Sequence, residues 1–145
     1  MSEKKKVLIV DDERLNLTVL SNLLKSDYKT VVAKSGEQAL ERAGSEVPPD
    51  LILLDIMMPK LSGFEVCSQL KSDPATSGIM ILMVTALNEL GDIERAVEAG
   101  TDDFLSKPVN KVELLKRIEN MLRLRHVTDE VERMRQYIQK IEERD

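Results

Sequence analysis

At 145 residues the chain is long enough for one domain with a real core. Its 32% charged and 42% hydrophobic residues are a globular balance, and a formal net charge of −5 argues against general nucleic-acid binding. The single cysteine, Cys67, excludes an internal disulfide and a Cys-x-x-Cys metal pair and fits a reducing, cytoplasmic setting.

Residues 1–5 read as a solvated, flexible arm. The apolar run after Lys4, Lys5 and Lys6 is too short for a secretory signal, and no segment reaches the length of a membrane span. Residues 7–10 read as a first strand, followed by a helix over 14–26 with Leu17, Leu20 and Leu24 on one face. Residues 28–33, rich in β-branched side chains, read as a second strand. Ser35 and Gly36 open a helix carrying Ala39, Leu40 and Ala43, and Gly44 ends it. The loop Val47-Pro48-Pro49-Asp50 delivers a third strand over 51–54.

A loop with Pro59 and Gly63 then leads to a helix through Phe64, Cys67 and Leu70. Residues 79–84 are apolar throughout, which suits a central strand of a parallel sheet covered on both faces. A helix over 88–99 closes at Gly100, residues 103–106 give a short fifth strand, and Asn110 caps a last helix that begins with Val112. Five repeats of strand then helix predict an α/β domain, a doubly wound parallel sheet with helices on both faces. In such sheets ligands bind beyond the carboxyl ends of the strands.

The residues at those ends are complementary. The first strand ends in Asp11-Asp12, the third in Asp55, the fourth in Thr85-Ala86 and the fifth in Lys107-Pro108. Asp55 follows a run that reads as buried, where a lone carboxylate is costly unless it is paired. Three clustered acids repel one another unless a cation sits among them, and an all-oxygen ligand set favours Mg²⁺. Lys107 and Thr85 add a positive charge and a hydroxyl, a combination suited to phosphoryl oxygens. With no His or Ser-His pair near it, Asp55 is the natural nucleophile for an acyl phosphate.

The fragments VLIVDDE, LILLDIMMPKLSGFEVC, MVTAL and FLSKPV, in this order and spacing, resemble the receiver domain of two-component response regulators. The resemblance covers about residues 5–122. It implies a flavodoxin-like (βα)5 sheet in the order 2-1-3-4-5, with a receiver domain over 6–122. It also implies that Asp55 takes a phosphoryl group from a sensor histidine kinase or phosphotransfer protein. Asp12 would bind Mg²⁺ directly, Asp11 mostly through water, and Met57 through its backbone carbonyl. Thr85 would be the switch hydroxyl, Lys107 the phosphate-binding lysine and Phe104 the aromatic that swings inward on activation. The bond before Pro108 would be cis. Met57 and Leu87 match positions that tune phosphate lifetime, and both are bulky and apolar here, so slow dephosphorylation is expected.

Blander readings stand beside these. Alone, Asp11-Asp12 serves equally as a helix N-cap, Lys107-Pro108 as a plain loop and Phe104 as core. Cys67 is expected in the core, His126 on the surface, and Met57-Met58 as loop packing. Two other functions share parts of this residue set. A haloacid dehalogenase-like phosphohydrolase also uses an Asp nucleophile, Mg²⁺, Thr or Ser and Lys, but needs a second acid two residues after the nucleophile, where Met57 stands. A structural dimerisation module with an inactive site is the third reading.

The last helix is expected to run from Lys111 to the chain end, an extended C-terminal helix without Gly or Pro. Leu115, Ile118 and Leu122 are expected to face the domain. Over 123–145, Leu124, Val127, Val131, Met134, Ile138 and Ile141 recur at alternating steps of three and four, the pattern of a coiled-coil seam. The expectation is a homodimer through a parallel coiled coil, with a helix folded back on its own domain as the alternative. In the receiver family such extensions relay the domain's state to an output domain or protein, often an enzyme of cyclic-dinucleotide signalling such as a diguanylate cyclase.

Overall fold

The computed structural model describes residues 4–86 and 90–143, with only the backbone of Leu90. Strands and helices alternate: β1 (Lys6–Val10), α1 (Arg14–Leu24), β2 (Lys29–Ala33), α2 (Gly36–Ala43), β3 (Leu51–Leu54), α3 (Gly63–Ser72), β4 (Met80–Thr85), α4 (Leu90–Ala99), β5 (Asp103–Ser106) and α5 (Lys111–Glu143). The five strands form one parallel sheet in the order β2-β1-β3-β4-β5, the flavodoxin-like order that the resemblance implies.

Side chains of a strand point alternately to its two faces, so each apolar strand feeds two cores. Leu8, Val10, Ile52, Leu54, Ile81 and Met83 pack with Ala39 and Ala43 of α2, Val66, Cys67 and Leu70 of α3 and Ala96 of α4. Val7, Ile9, Leu51, Leu53, Leu82 and Val84 pack with Leu17, Leu20 and Leu24 of α1 and Leu114, Ile118 and Met121 of α5. Burying each such side chain is worth roughly 1.5–3 kcal/mol, and β3 and β4 bury every residue they have. This is why those two strands read as unbroken apolar runs.

Several boundaries differ from the sequence reading. The fourth strand is shifted by one residue to Met80–Thr85. The first helix stops at Leu24, with Lys25 as its cap. Gly44 caps α2 at φ −92°, so no left-handed backbone is needed there, whereas Gly100 after α4 sits at φ +93°. The start of the fourth helix at Asn88 lies outside the described residues.

In α5 the fully buried stripe is Leu114, Ile118 and Met121, with Leu115 and Leu122 only partly buried beside it. Ile118 is buried as expected, while the other two buried positions lie one residue before Leu115 and Leu122, about 100° around the helix from each. Asn110 caps the helix as expected, its Oδ1 accepting from the Glu113 amide at 3.1 Å, although α5 already begins at Lys111.

Two arginines fasten α5 to the sheet. Arg117 Nη1 donates to both Asp103 carboxylate oxygens at 2.9 Å. Arg125 Nη1 donates to Asp50 Oδ1 at 3.0 Å and to its carbonyl at 3.1 Å, while Asp50 Oδ2 accepts the Lys6 amide at 2.8 Å. The helix is therefore bonded to the amino edge of the sheet through residue 125.

Candidate functional site

The site is assembled by backbone hydrogen bonds that continue the sheet one residue past its strands. The Asp11 amide donates to the Ala33 carbonyl at 3.2 Å, that of Asp55 to Val10 at 3.0 Å, and that of Lys107 to Thr85 at 2.8 Å. The register pairs Val10 with Leu54, Leu54 with Met83 and Thr85 with Ser106. Asp11, Asp55, Thr85 and Lys107 thus leave the sheet from one edge.

Asp11 and Asp55 are buried, 1% and 7% exposed, Thr85 is buried and Asp12 is exposed. Oxygens of Asp11, Asp12 and Asp55 lie within 4.8 Å of one another. Lys107 Nζ is 3.3 Å from Asp11 Oδ2 and 3.9 Å from Asp55 Oδ1. Asn16 Nδ2 donates to Asp11 Oδ2 at 3.1 Å, and the Glu13 amide donates to Asp11 Oδ1 at 2.9 Å. The N-cap residue of α1 is Glu13, with no side-chain cap bond, so neither member of the aspartate pair serves as the helix cap.

Burial and the Asp11 charge push the Asp55 carboxyl from its ordinary 3.8 up to about 6. Lys107 and the backbone amides of Met57 and Ile56 pull the other way without overcoming them. Three carboxylates against one ammonium leave a formal excess of two negative charges. An all-oxygen donor set with that excess, buried on one side and open at Asp12, fits a hard divalent cation that keeps part of its water shell.

Gly63 is a site-shaping residue that the sequence reading placed only in a loop, whereas it opens α3. A Cβ there would collide with the Asp55 carbonyl oxygen and lie 2.7 Å from the Ile56 Cα. The Gly63 amide donates to the Ile56 carbonyl at 2.9 Å, so the start of α3 lies directly against the Asp55 backbone. Its only sequence signal is a glycine just after a capping-box serine, in a first turn where glycine is otherwise costly. Asn16 was missed, since an asparagine in the first turns of a helix carries no distinguishing pattern. The loop between Asp55 and Gly63 contains Lys60 at φ +67°, where the Leu61 amide bonds back to Pro59 at 2.9 Å.

The remaining expected residues fall as follows. The Lys107–Pro108 peptide is cis. Phe104 is half-buried against the core that contains Met83 and Ala96. Met57 exposes its side chain (64%) while Met58 is buried, and Leu87 lies outside the described residues. Cys67 is fully buried, and His126 is exposed with Nε2 3.0 Å from Glu130 Oε1. Leu124, Val127, Val131, Met134, Ile138 and Ile141 are all exposed. Among the described residues no helix is long and apolar enough to cross a membrane.

Comparison with known proteins converges on one family. The model described as "Response regulator receiver domain" matches residues 7–119. The response regulator PleD of Caulobacter vibrioides is 41% identical over 127 residues, which cover 87% of this chain and 28% of PleD. The alkaline phosphatase synthesis transcriptional regulatory protein PhoP of Bacillus subtilis is 44% identical over 120 residues, 82% of this chain and 49% of PhoP. The chain thus spans about a quarter to a half of the length of these relatives. A CheY-like receiver domain protein of Methanospirillum hungatei has a similar structure, with TM-score 0.80 and 28% identity over 87% of this chain and 99% of that one. A sensor histidine kinase receiver domain from Pseudomonas aeruginosa, solved with a magnesium ion coordinated in its active-site cleft, gives TM-score 0.76 and 28% identity over 83% of this chain and 98% of that one.

Proposed function

The chain belongs to the response regulator receiver domain family, a family of phosphorylation-dependent signalling, and we propose that Asp55 is its phosphoacceptor. The observation that carries this is the cluster itself: a buried aspartate with two further carboxylates inside 4.8 Å and an ammonium 3.9 Å away. A carboxylate oxygen of Asp55 attacks phosphorus, the P–N bond of a donor phosphohistidine breaks as the new P–O bond forms, and the histidine keeps the electron pair and takes a proton. The donor is a sensor histidine kinase or a phosphotransfer protein.

Asp11, Asp12, Asp55 and the Met57 carbonyl are the groups to hold Mg²⁺. Bound there, the ion supplies charge neutralisation for the phosphoryl oxygens and the acceptor carboxylate. Lys107 can follow the transferred group, because its ammonium already bridges Asp11 and Asp55. Thr85, one strand away, turns its hydroxyl to a phosphoryl oxygen, and Phe104 follows it inward. The resulting change is a population shift of the α4–β5–α5 surface, and α5 conveys it to a second chain or an output partner. The exposed Met57 side chain screens the site from the hydrolytic water. A phosphohydrolase reading lacks its acid, since Met57 stands two residues past Asp55.

The test is incubation with acetyl phosphate and Mg²⁺, followed by intact-mass measurement. Wild type gains one phosphoryl group that is labile to hydroxylamine, while Asp55→Asn and metal-stripped protein do not. Equal labelling of Asp55→Asn, or steady turnover of a phosphate ester by the wild type, refutes the assignment.

A further inference from the structure

The long helix carries two stripes that the domain treats oppositely. At about 100° per residue, Leu114, Ile118, Met121 and Arg125 fall within one narrow sector, and all four are bonded or packed onto the sheet. Leu124, Val127, Val131, Met134, Ile138 and Ile141 fall in another sector roughly 150° away, and each is 44–65% exposed. The second stripe begins where the domain ends. Before Leu124, the same line is held by Arg117, already bonded to Asp103. In α5 as one continuous helix, the docked first sector and the Arg125–Asp50 bonds turn the stripe away from the domain, so covering it with the same domain would require breaking the helix.

Charge selects the partner. With Leu124, Val131 and Ile138 as a positions and Val127, Met134 and Ile141 as d positions, Glu130 occupies g and Arg135 occupies e. In a parallel, in-register pair each g residue faces the e residue five positions on in the other helix. Glu130 of each chain then meets Arg135 of the other, twice by symmetry. A fully overlapped antiparallel pair sets Glu130 beside Tyr137 and Arg135 beside Thr128, so neither charge meets its opposite.

We propose that the exposed stripe of α5 binds a second copy of this chain as a parallel, in-register two-stranded coil, with Glu130 and Arg135 selecting orientation and register and the Arg125–Asp50 clasp holding each domain on the outside. This deepens the signalling reading by naming the partner of the conveying helix, and it rests on that reading only for its purpose. The seam is short, so association is weak and concentration-dependent.

The experiment uses the full chain in sedimentation equilibrium, without phosphodonor. Wild type approaches twice 16.4 kDa with rising concentration. Glu130→Arg and Arg135→Glu each place like charges at both sites and weaken association about tenfold. Mixed together, the two variants form a heterodimer tighter than either variant's own dimer by a similar factor, because both of its sites then pair Arg with Glu, one in the native sense and one reversed. Circular dichroism of each variant confirms intact folding. A wild type that stays monomeric at its solubility limit, variants with unchanged association, or a mixture with no heterodimer preference overturns the proposal. Acetyl phosphate labelling of Asp55 is read separately: labelling without dimers sinks this inference alone, and dimers without labelling sink the phosphoacceptor assignment alone.

Discussion

Replacing Asp55 with Asn should make the metal-free protein more stable at neutral pH, although it removes a residue at the centre of the site. The folded environment raises the Asp55 carboxyl from 3.8 to about 6, which corresponds to about 3 kcal/mol of penalty on the ionised form. Lys107 is partly exposed and the pocket opens at Asp12, so solvent screening reduces this to roughly 1–2 kcal/mol. The sign follows from linkage: the folded state binds this proton more tightly than the unfolded state. The penalty is therefore absent below about pH 3.8, grows between there and about pH 6, and is complete above it. The asparagine side chain has the same shape and no charge to desolvate.

Thermal and urea unfolding in a chelator at pH 7 should place Asp55→Asn about 3–6 °C above wild type, with the gap closing as pH falls towards 4. Mg²⁺ should stabilise wild type more than the variant, since an ion that binds only the folded carboxylates adds to folding free energy. A variant less stable than wild type in chelator at pH 7, or a gap that stays constant down to pH 4, would refute the electrostatic account.

Gly63→Ala should lose about 2–3 kcal/mol and slow acetyl phosphate labelling as well, because the added methyl meets the Asp55 carbonyl and the Ile56 backbone; unchanged urea midpoints would count against that close approach. Cys67 has its thiol pushed up to about 11 by burial, and its Sγ donates to the Ala99 carbonyl at 3.3 Å. Ellman's reagent should therefore react only at the rate of unfolding, and fast reaction of native protein would contradict the packing. Arg125→Ala should cost about 1 kcal/mol and raise amide exchange in α5 beyond residue 121, leaving β1 to β4 protected. If exchange in the extension is unaffected, the clasp does not hold the helix.

Much of this was legible before any coordinates. Element type followed from periodicity: continuous apolar runs at 51–54 and 79–84, and three-to-four spacing in the first and last helices. The acidic and cationic residues stood out because each lies one or two steps past a strand, where the chain must leave the sheet. The aspartate pair, Asp55, Thr85 and Lys107 could be grouped because a parallel sheet sends all its carboxyl ends to one edge.

Other features depend on neighbours far apart in sequence. Gly63 matters only because the Asp55 backbone lies against it, and Asn16 only because its amide reaches Asp11. The clasp joins residues 75 positions apart. In α5 the burial of Leu114 and Met121 beside Ile118, in place of Leu115 and Leu122, was set by the angle at which the helix meets the sheet; helical periodicity identifies a face of the helix but not its exact docking angle.

By itself, then, the sequence determined the order of strands and helices, the apolar composition of both cores and the chemical types gathered at one edge, because these depend on local periodicity and on which side chains water tolerates. Only the tertiary structure decided how far each carboxylate is desolvated, how close Lys107 comes to each of them and which positions of the last helix dock on the sheet. Those are matters of distance and burial, and Coulomb attraction and solvation act through space without regard to position along the chain.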